Sequence, residues 1–265
     1  MFFNESNIFT SNQILNVKCH SINNGYKIPN IVHFTFMNTK LPPEIIKVVE
    51  NNKKVCNNCS FIFYDDDNCD KFIKNNFNEE IYNTYKKINP SYGAMRADFF
   101  RYCVLYKLGG IYIDIKSQIN IPIFKLINKN DICILDIPRC DLEPWRKNSP
   151  TYEQWLLIFA PQHPYLLSMI NLMYKYISEN YIPKIINGFN LIKNKKAQIL
   201  NITGPDAFTK AINKYKLITD KILHRNVNYN TFASLNWQLN YRKMYKLNNK
   251  KHYSEVNEPI YLNKQ

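Results

Sequence analysis

Short apolar runs alternate with longer amphipathic stretches along this chain. Asn30 to Phe36, rich in β-branched and aromatic residues, reads as a buried strand. Pro42-Pro43 then opens a helix to about Val55, proline being favoured in a first helical turn. Ser60 to Tyr64 reads as a second strand. It ends in Asp65-Asp66-Asp67, an acidic cap for a helix over Cys69 to Phe77. A further helix runs from Glu79 to Ile88 and stops before Pro90. From Tyr92 to Lys107 the spacing of Ala97, Phe100, Val104 and Leu108 predicts one apolar stripe on a helix. Gly109-Gly110 closes it, and Ile111 to Ile115 alternates as a strand. Asp131 to Ile137 reads as a short strand, and Pro164 to Ser178 and Pro205 to Asn213 as helices. Such alternation, with crossover-length spacers, predicts an α/β fold with a mainly parallel sheet. Ligands of such sheets sit beyond the carboxyl ends of the strands.

The pattern weakens at both ends. Residues 1–27 are polar and Asn-rich and read as an N-terminal arm, and from about 227 to 265 the chain is irregular. No linker divides the remainder, so one domain over 1–265 is expected. No run approaches the ~20 apolar residues of a membrane span. The first fifteen residues lack the basic and apolar regions of a signal peptide, so a cytoplasmic protein is expected.

Charge changes the picture modestly. Lys+Arg number 35 and Asp+Glu 21, a formal excess of +14 that suits anionic partners. Abundant Lys, Asn, Ile and Tyr with only 6 Gly also fit an AT-rich genome, which spreads lysines over the surface without a dedicated site. A nucleic-acid-binding reading would rest on Lys193 to Lys196 and Lys246 to Lys251, which look like exposed loops; no known nucleic-acid module accompanies them. The seven cysteines are scattered; Cys56-Asn57-Asn58-Cys59 has no second close pair to complete a zinc site, so free thiols are expected.

The chemistry concentrates between positions 98 and 116. Asp98 and Arg101 lie three apart on the helix and share a face. On the following strand Tyr112, Asp114 and Lys116 face opposite to Ile111, Ile113 and Ile115. Alone, these charges could be ordinary surface ion pairs. Helix and strand end nevertheless both aim charge at the place where an α/β sheet takes its ligand.

This segment is similar to the sugar-binding region of DXD-type glycosyltransferases, and most to the family containing the fungal initiating α-1,6-mannosyltransferase; related spacing occurs in the glucosylating domains of clostridial toxins. Three further blocks carry the resemblance in order: Ile28-Pro29-Asn30-Ile31-Val32-His33, then Glu153-Gln154-Trp155 with Ala160-Pro161-Gln162-His163-Pro164, then Thr203-Gly204-Pro205. The resemblance implies a GT-A fold, a Rossmann-like, mainly parallel sheet flanked by helices. It implies a retaining enzyme that moves a sugar from a UDP- or GDP-sugar to a glycan, glycoprotein or other hydroxyl acceptor. An AT-rich microbe or giant virus is then a fitting source.

By the same resemblance Asp98 and Arg101 bind the donor, together with Gly110, Tyr112 and Asp114, the first aspartate of the DXD motif. His33 and Phe34 would line the nucleobase pocket, Phe34 by stacking, though His33 fits a core histidine equally. Asp136 is a further acidic candidate, for the acceptor or a sugar hydroxyl. The departure is Lys116, where the second DXD aspartate is expected. A protonated lysine cannot ligate Mn²⁺ or Mg²⁺ but can neutralise a diphosphate. Asp114, Lys116 and Arg101 are thus the catalytic candidates. Two alternatives stay open: a metal held by Asp114 and His252, or a pseudoenzyme that binds the nucleotide-sugar without transfer.

Overall fold

In the computed structural model, residues 25–140, 146, 149–235, 245 and 251–262 are described. Most of the proposed N-terminal arm, and much of the C-terminal segment including Lys246 to Lys250, lie outside them. The elements follow in chain order: β1 (Ile31–Thr35), α1 (Pro43–Val55), β2 (Ser60–Tyr64), α2 (Asp66–Asn76), α3 (Glu79–Lys87), α4 (Gly93–Leu108), β3 (Gly110–Ile113) and β4 (Ser117–Ile119). Then come β5 (Cys133–Leu135), β6 (Leu156–Phe159), α5 (Pro164–Ser178), the short β7 (Ile185–Ile186) and β8 (Phe189–Asn190), α6 (Lys195–Ile202), α7 (Pro205–Thr219), β9 (Arg225–Asn226) and β10 (Ala233–Leu235).

The main sheet has six strands in the order β2-β1-β3-β6-β5-β9. β1 pairs in parallel with β2 and β3, and β5 with β9, while β6 runs antiparallel between β3 and β5. The fold is α/β with a mostly parallel sheet, as the alternation predicts. β6 is the exception. Its four apolar residues carry no period, so nothing in the pattern distinguishes it from a stretch of buried helix.

Helices cover both faces, as buried parallel strands require. On one face α2 to α5 and α7 enclose an aromatic core that includes Tyr64, Tyr85, Phe99, Phe100, Tyr102 and Phe208. On the other, α1 and the strand pair β4–β10 pack over Val32, Phe34, Ile111, Ile113 and Trp155. Asn52, buried on α1, ties that side together by donating to the Ser117 carbonyl (2.8 Å) and accepting from the Ile119 N–H (2.8 Å).

Several boundaries move for local reasons. Asp65 accepts from the Asn68 N–H at 2.8 Å, which starts α2 three residues before the expected Cys69. α4 is buried on almost every side, from Met95 through Asp98–Leu105, so the single apolar stripe is corrected. Ala97 of that stripe lines the cavity described below. β3 ends at Ile113, and Asp114 and Lys116 occupy the turn beyond it. Lys195 and Lys196 open α6, capped by Asn194, where an exposed loop was expected.

The Gly109-Gly110 junction between α4 and β3 is fixed by close packing. Gly109 has φ +65°, and a Cβ there would lie 2.7 Å from Pro161. Gly110 has φ +94°, and its Cβ would come within 2.5 Å of the Ile31 carbonyl oxygen. Only glycine meets both demands, and the junction brings the end of α4 against β1.

Candidate active site

A cavity of about 700 Å³ opens beyond the carboxyl ends of β1 and β3. That is an ordinary size for a small-molecule site. Its floor holds Asp98, Arg101, Tyr112 and Asp114, and Thr35, Lys116 and Gln154 stand around them.

The floor is a row of alternating charge. The Arg101 Nη2 lies 3.1 Å from an Asp98 oxygen and 3.1 Å from an Asp114 oxygen. Its Nη1 donates to the Gln154 carbonyl at 2.6 Å, and its guanidinium sits 4.6 Å above the Tyr112 ring. Burial opposes the guanidinium charge, but Tyr112, Asp114 and Asp98 around it raise its pKa further above the ordinary arginine value. Arg101 is therefore a fixed cation whose hydrogen bonds go mainly to protein.

Asp98 is held from three directions. The Gln154 Nε2 donates to one carboxylate oxygen at 3.1 Å, and the Thr203 hydroxyl to the other at 2.9 Å. Gln154 is steadied in turn by the Tyr102 hydroxyl. Burial pushes the Asp98 carboxyl up to about 6, against the opposing pull of Arg101. Asp114 is different: its side chain is 29% exposed against 6% for Asp98, so it presents oxygen to the cavity. The Tyr112 hydroxyl and the Thr35 hydroxyl are 3.2 Å apart.

The structure thus brings Asp98, Arg101, Tyr112, Asp114 and Lys116 into one cavity and separates others from it. Phe34 packs in the core between Phe61 and Phe63, and Thr35, Phe36 and Met37 line the cavity at that strand end, so stacking by Phe34 is corrected. His33 is a core histidine. Its Nε2–H donates to the Gly109 carbonyl (3.0 Å), Nδ1 faces the Tyr64 hydroxyl (3.2 Å), and burial lowers its pKa to about 4. Gly110 is buried against Ile31 and serves the backbone approach instead of the donor. Asp136 spends one oxygen on the Ile137 and Tyr229 N–H groups, away from the cavity lining.

Sequence reasoning missed Gln154 and Thr203 as the clamps on Asp98, although both stand in the ordered blocks quoted above. It also missed Arg146, Lys196 and Lys251, which add cations to the cavity wall.

His252 lines the same cavity, with its Nδ1 2.7 Å from the Ser254 hydroxyl oxygen. Among the described residues no group of three or more His, Cys, Asp or Glu side chains is arranged to hold a metal ion. Asp114 and His252 line the same cavity, but among the described residues neither belongs to such a group, and Lys116 stands where a second carboxylate would. These side chains do not by themselves form a metal centre.

Comparison with known proteins bears on this geometry. Residues 42–133 match the family described as "Glycosyltransferase sugar-binding region containing DXD motif". That span includes Asp98, Arg101, Asp114 and Lys116. An uncharacterized glycosyltransferase of Acanthamoeba polyphaga mimivirus is 29% identical over 209 residues, 74% of this chain and 73% of the relative. The initiation-specific α-1,6-mannosyltransferase of Candida albicans is 25% identical over 172 residues, 57% of this chain and 42% of that enzyme. The chain thus spans less than half the length of the fungal relative. Among solved structures, PaToxG glycosyltransferase superposes with a TM-score of 0.53 at 16% identity, covering 71% of this chain and 70% of that one. The fold is that of GT-A glycosyltransferase domains.

Proposed function

We propose that this chain, a glycosyltransferase with a DXD-type sugar-binding region, moves a hexose from a UDP- or GDP-sugar to a hydroxyl of a glycan or glycoprotein acceptor, with retention. One observation carries the reading: the Asp98–Arg101–Asp114 row on the cavity floor, with Lys116 on the wall beside it.

Each residue then has a task. Asp114 accepts hydrogen bonds from donor hydroxyls with its open oxygen. Asp98, clamped by Gln154 and Thr203, reads the sugar from the buried side. Arg101 acts as a positioning residue that holds both carboxylates apart at fixed distance. In the transfer, the bond from the anomeric carbon to the diphosphate oxygen breaks as the acceptor oxygen bonds to that carbon. The acceptor proton passes to the departing phosphate oxygen on the same face. Negative charge grows on the diphosphate, and a fixed cation lowers that barrier. Lys116 supplies such a cation as a point charge. A divalent ion bound to the diphosphate would add Lewis-acid charge there, but Lys116 already supplies a cation at that place, so metal dependence is expected to be weak or absent.

Titrating EDTA and then Mn²⁺ during donor hydrolysis tests this. Turnover is expected to survive EDTA with less than about a tenfold loss. Activity abolished by EDTA and restored by Mn²⁺ alone would contradict the role given to Lys116. The same lysine favours one second reading, a protein that binds nucleotide-sugar without transferring it. Its signature would be tight nucleotide binding with no donor turnover under any metal condition.

A further inference from the structure

Most of α7 packs into the core, but its last turn does not. Ala207, Phe208, Ala211 and Ile212 are buried. Leu217, Ile218 and Ile222 are 85%, 72% and 70% exposed. Single exposed aliphatic residues are ordinary; three within six positions form a patch. The turn that carries them is tied to the body of the molecule. Asp220 ends the helix in the left-handed region (φ +55°), its N–H donating to the Lys216 carbonyl at 2.8 Å. Beyond it the Leu223 N–H donates to the Tyr165 hydroxyl (3.0 Å), and the His163 Nε2–H donates to the Leu223 carbonyl (3.2 Å). The Tyr215 ring meets the same Tyr165 edge to face.

The charge around this tip has one sign. Asp220 is the single carboxylate from 207 to 235, against Lys210, Lys214, Lys216, Lys221 and Arg225. Lys210 and Lys216 donate to the Tyr176 and Tyr152 hydroxyls (2.6 and 3.0 Å), and Arg225 pairs with Asp131. Lys214 and Lys221 are exposed at the tip itself. Lys214 precedes Leu217 and Ile218 by three and four residues and shares their side of the helix, and Lys221 adjoins Ile222. Aliphatic side chains flanked by ammonium groups match an anionic bilayer. The former enter the acyl boundary, and the latter meet the headgroup phosphates and carboxylates. A second copy of the chain is the poorer partner. Facing tips would set Lys214 and Lys221 against their own counterparts, and three aliphatic residues fall far short of the roughly 20–30 per side of a stable protein interface. We propose that the α7 tip, Leu217, Ile218 and Ile222 with Lys214 and Lys221, is a docking surface for an anionic lipid membrane. None of these five residues lines the cavity that holds Asp98 and Asp114, so the bilayer is met as a surface and not as a substrate.

The test sediments the whole protein with vesicles of phosphatidylserine in phosphatidylcholine, or of phosphatidylcholine alone. Two variants are compared with the wild type: Leu217→Ser/Ile218→Ser/Ile222→Ser, and Lys214→Gln/Lys221→Gln. All five positions are exposed, and circular dichroism establishes that each variant is folded. A third variant, Leu217→Trp, keeps the patch apolar and reports insertion directly. The wild type is expected to bind the phosphatidylserine vesicles, and each multiple variant to bind them about tenfold more weakly. The new tryptophan is expected to shift its emission to the blue on those vesicles and to be quenched when brominated phosphatidylcholine replaces the ordinary lipid. No binding to phosphatidylserine vesicles overturns the proposal. Binding that survives the three serines, or a tryptophan that neither shifts nor is quenched, assigns adhesion to the dispersed positive charge of the chain and overturns it too. A dimer in sedimentation velocity that the three serines dissociate makes a second copy the occupant, with the same consequence.

Discussion

Asp98 ionises against its own burial, and this has a measurable sign. Its folded pKa, about 6, lies above the ordinary carboxylate value of 3.8. Between those two pH values the native state keeps a proton that the unfolded chain has released. Its contribution to stability is therefore full below about pH 4, falls as pH rises through 6, and stays lost at neutral pH. A carboxylate kept buried in this way fits the donor-binding role proposed for Asp98. Asp98→Asn, which preserves shape, lets Gln154 keep its donated bond and has the Thr203 hydroxyl turn to accept from the new NH₂ group, is expected to hold or raise the melting temperature near pH 7. It is also expected to lower donor turnover about a hundredfold. Thermal scans and initial rates on the same preparation check both halves; equal losses of stability and activity would mark Asp98 as structural. At this scale the sequence was partly legible. Asp98, Arg101 and Asp114 stood out by spacing and resemblance. Phe34 did not declare its direction, because adjacent residues of a strand point to opposite faces and both faces of this sheet are covered.

The α4–Gly109–Gly110–β3 unit sets the distance between the helix carboxylate and the turn carboxylate. Its glycines announced themselves, since a glycine pair between a helix and a strand has few other uses. What the pattern could not disclose was how crowded they are, because the crowding comes from Ile31 and Pro161, far away in sequence. Gly110→Ala should destabilise the fold by about 3 kcal/mol or more, since the new methyl meets backbone and the positive φ is unfavourable for alanine. A urea unfolding midpoint measures this; a change below about 0.5 kcal/mol would mean that β1 gives way easily. Helices with distinct caps, α1, α2 and α5, were readable from Pro43, Asp65 and Pro164. α6 was hidden because its start is three lysines and an asparagine, and composition pointed to a solvated loop.

Among the described residues, two buried histidines and a half-buried one shape the response to acid. His33, His163 and His224 each have a pKa lowered to about 4, first by burial. The Tyr152 and Tyr165 hydroxyls flank the His224 ring at 3.1 and 3.2 Å. These groups are neutral when folded, and in the unfolded chain they take up protons below about pH 6.5. The stability they permit is complete above about 6.5 and is lost as pH falls towards 4, opposite in sign to Asp98. Three against one, the melting temperature should drop by about 10 °C between pH 7 and pH 5; a flat profile would mean that these rings become solvated without unfolding. The four ordered sequence blocks, dispersed along the chain, converge on one place here: β1 below, Gln154 and Thr203 on Asp98, and the DXD-like turn opposite. The most direct test of the account is transfer itself, with a panel of UDP- and GDP-sugars offered to the wild type and to Asp114→Ala. The account predicts turnover of at least one nucleotide-sugar by the wild type and a loss of about a hundredfold or more in the variant, with its melting temperature little changed. Equal turnover by the two proteins would contradict it.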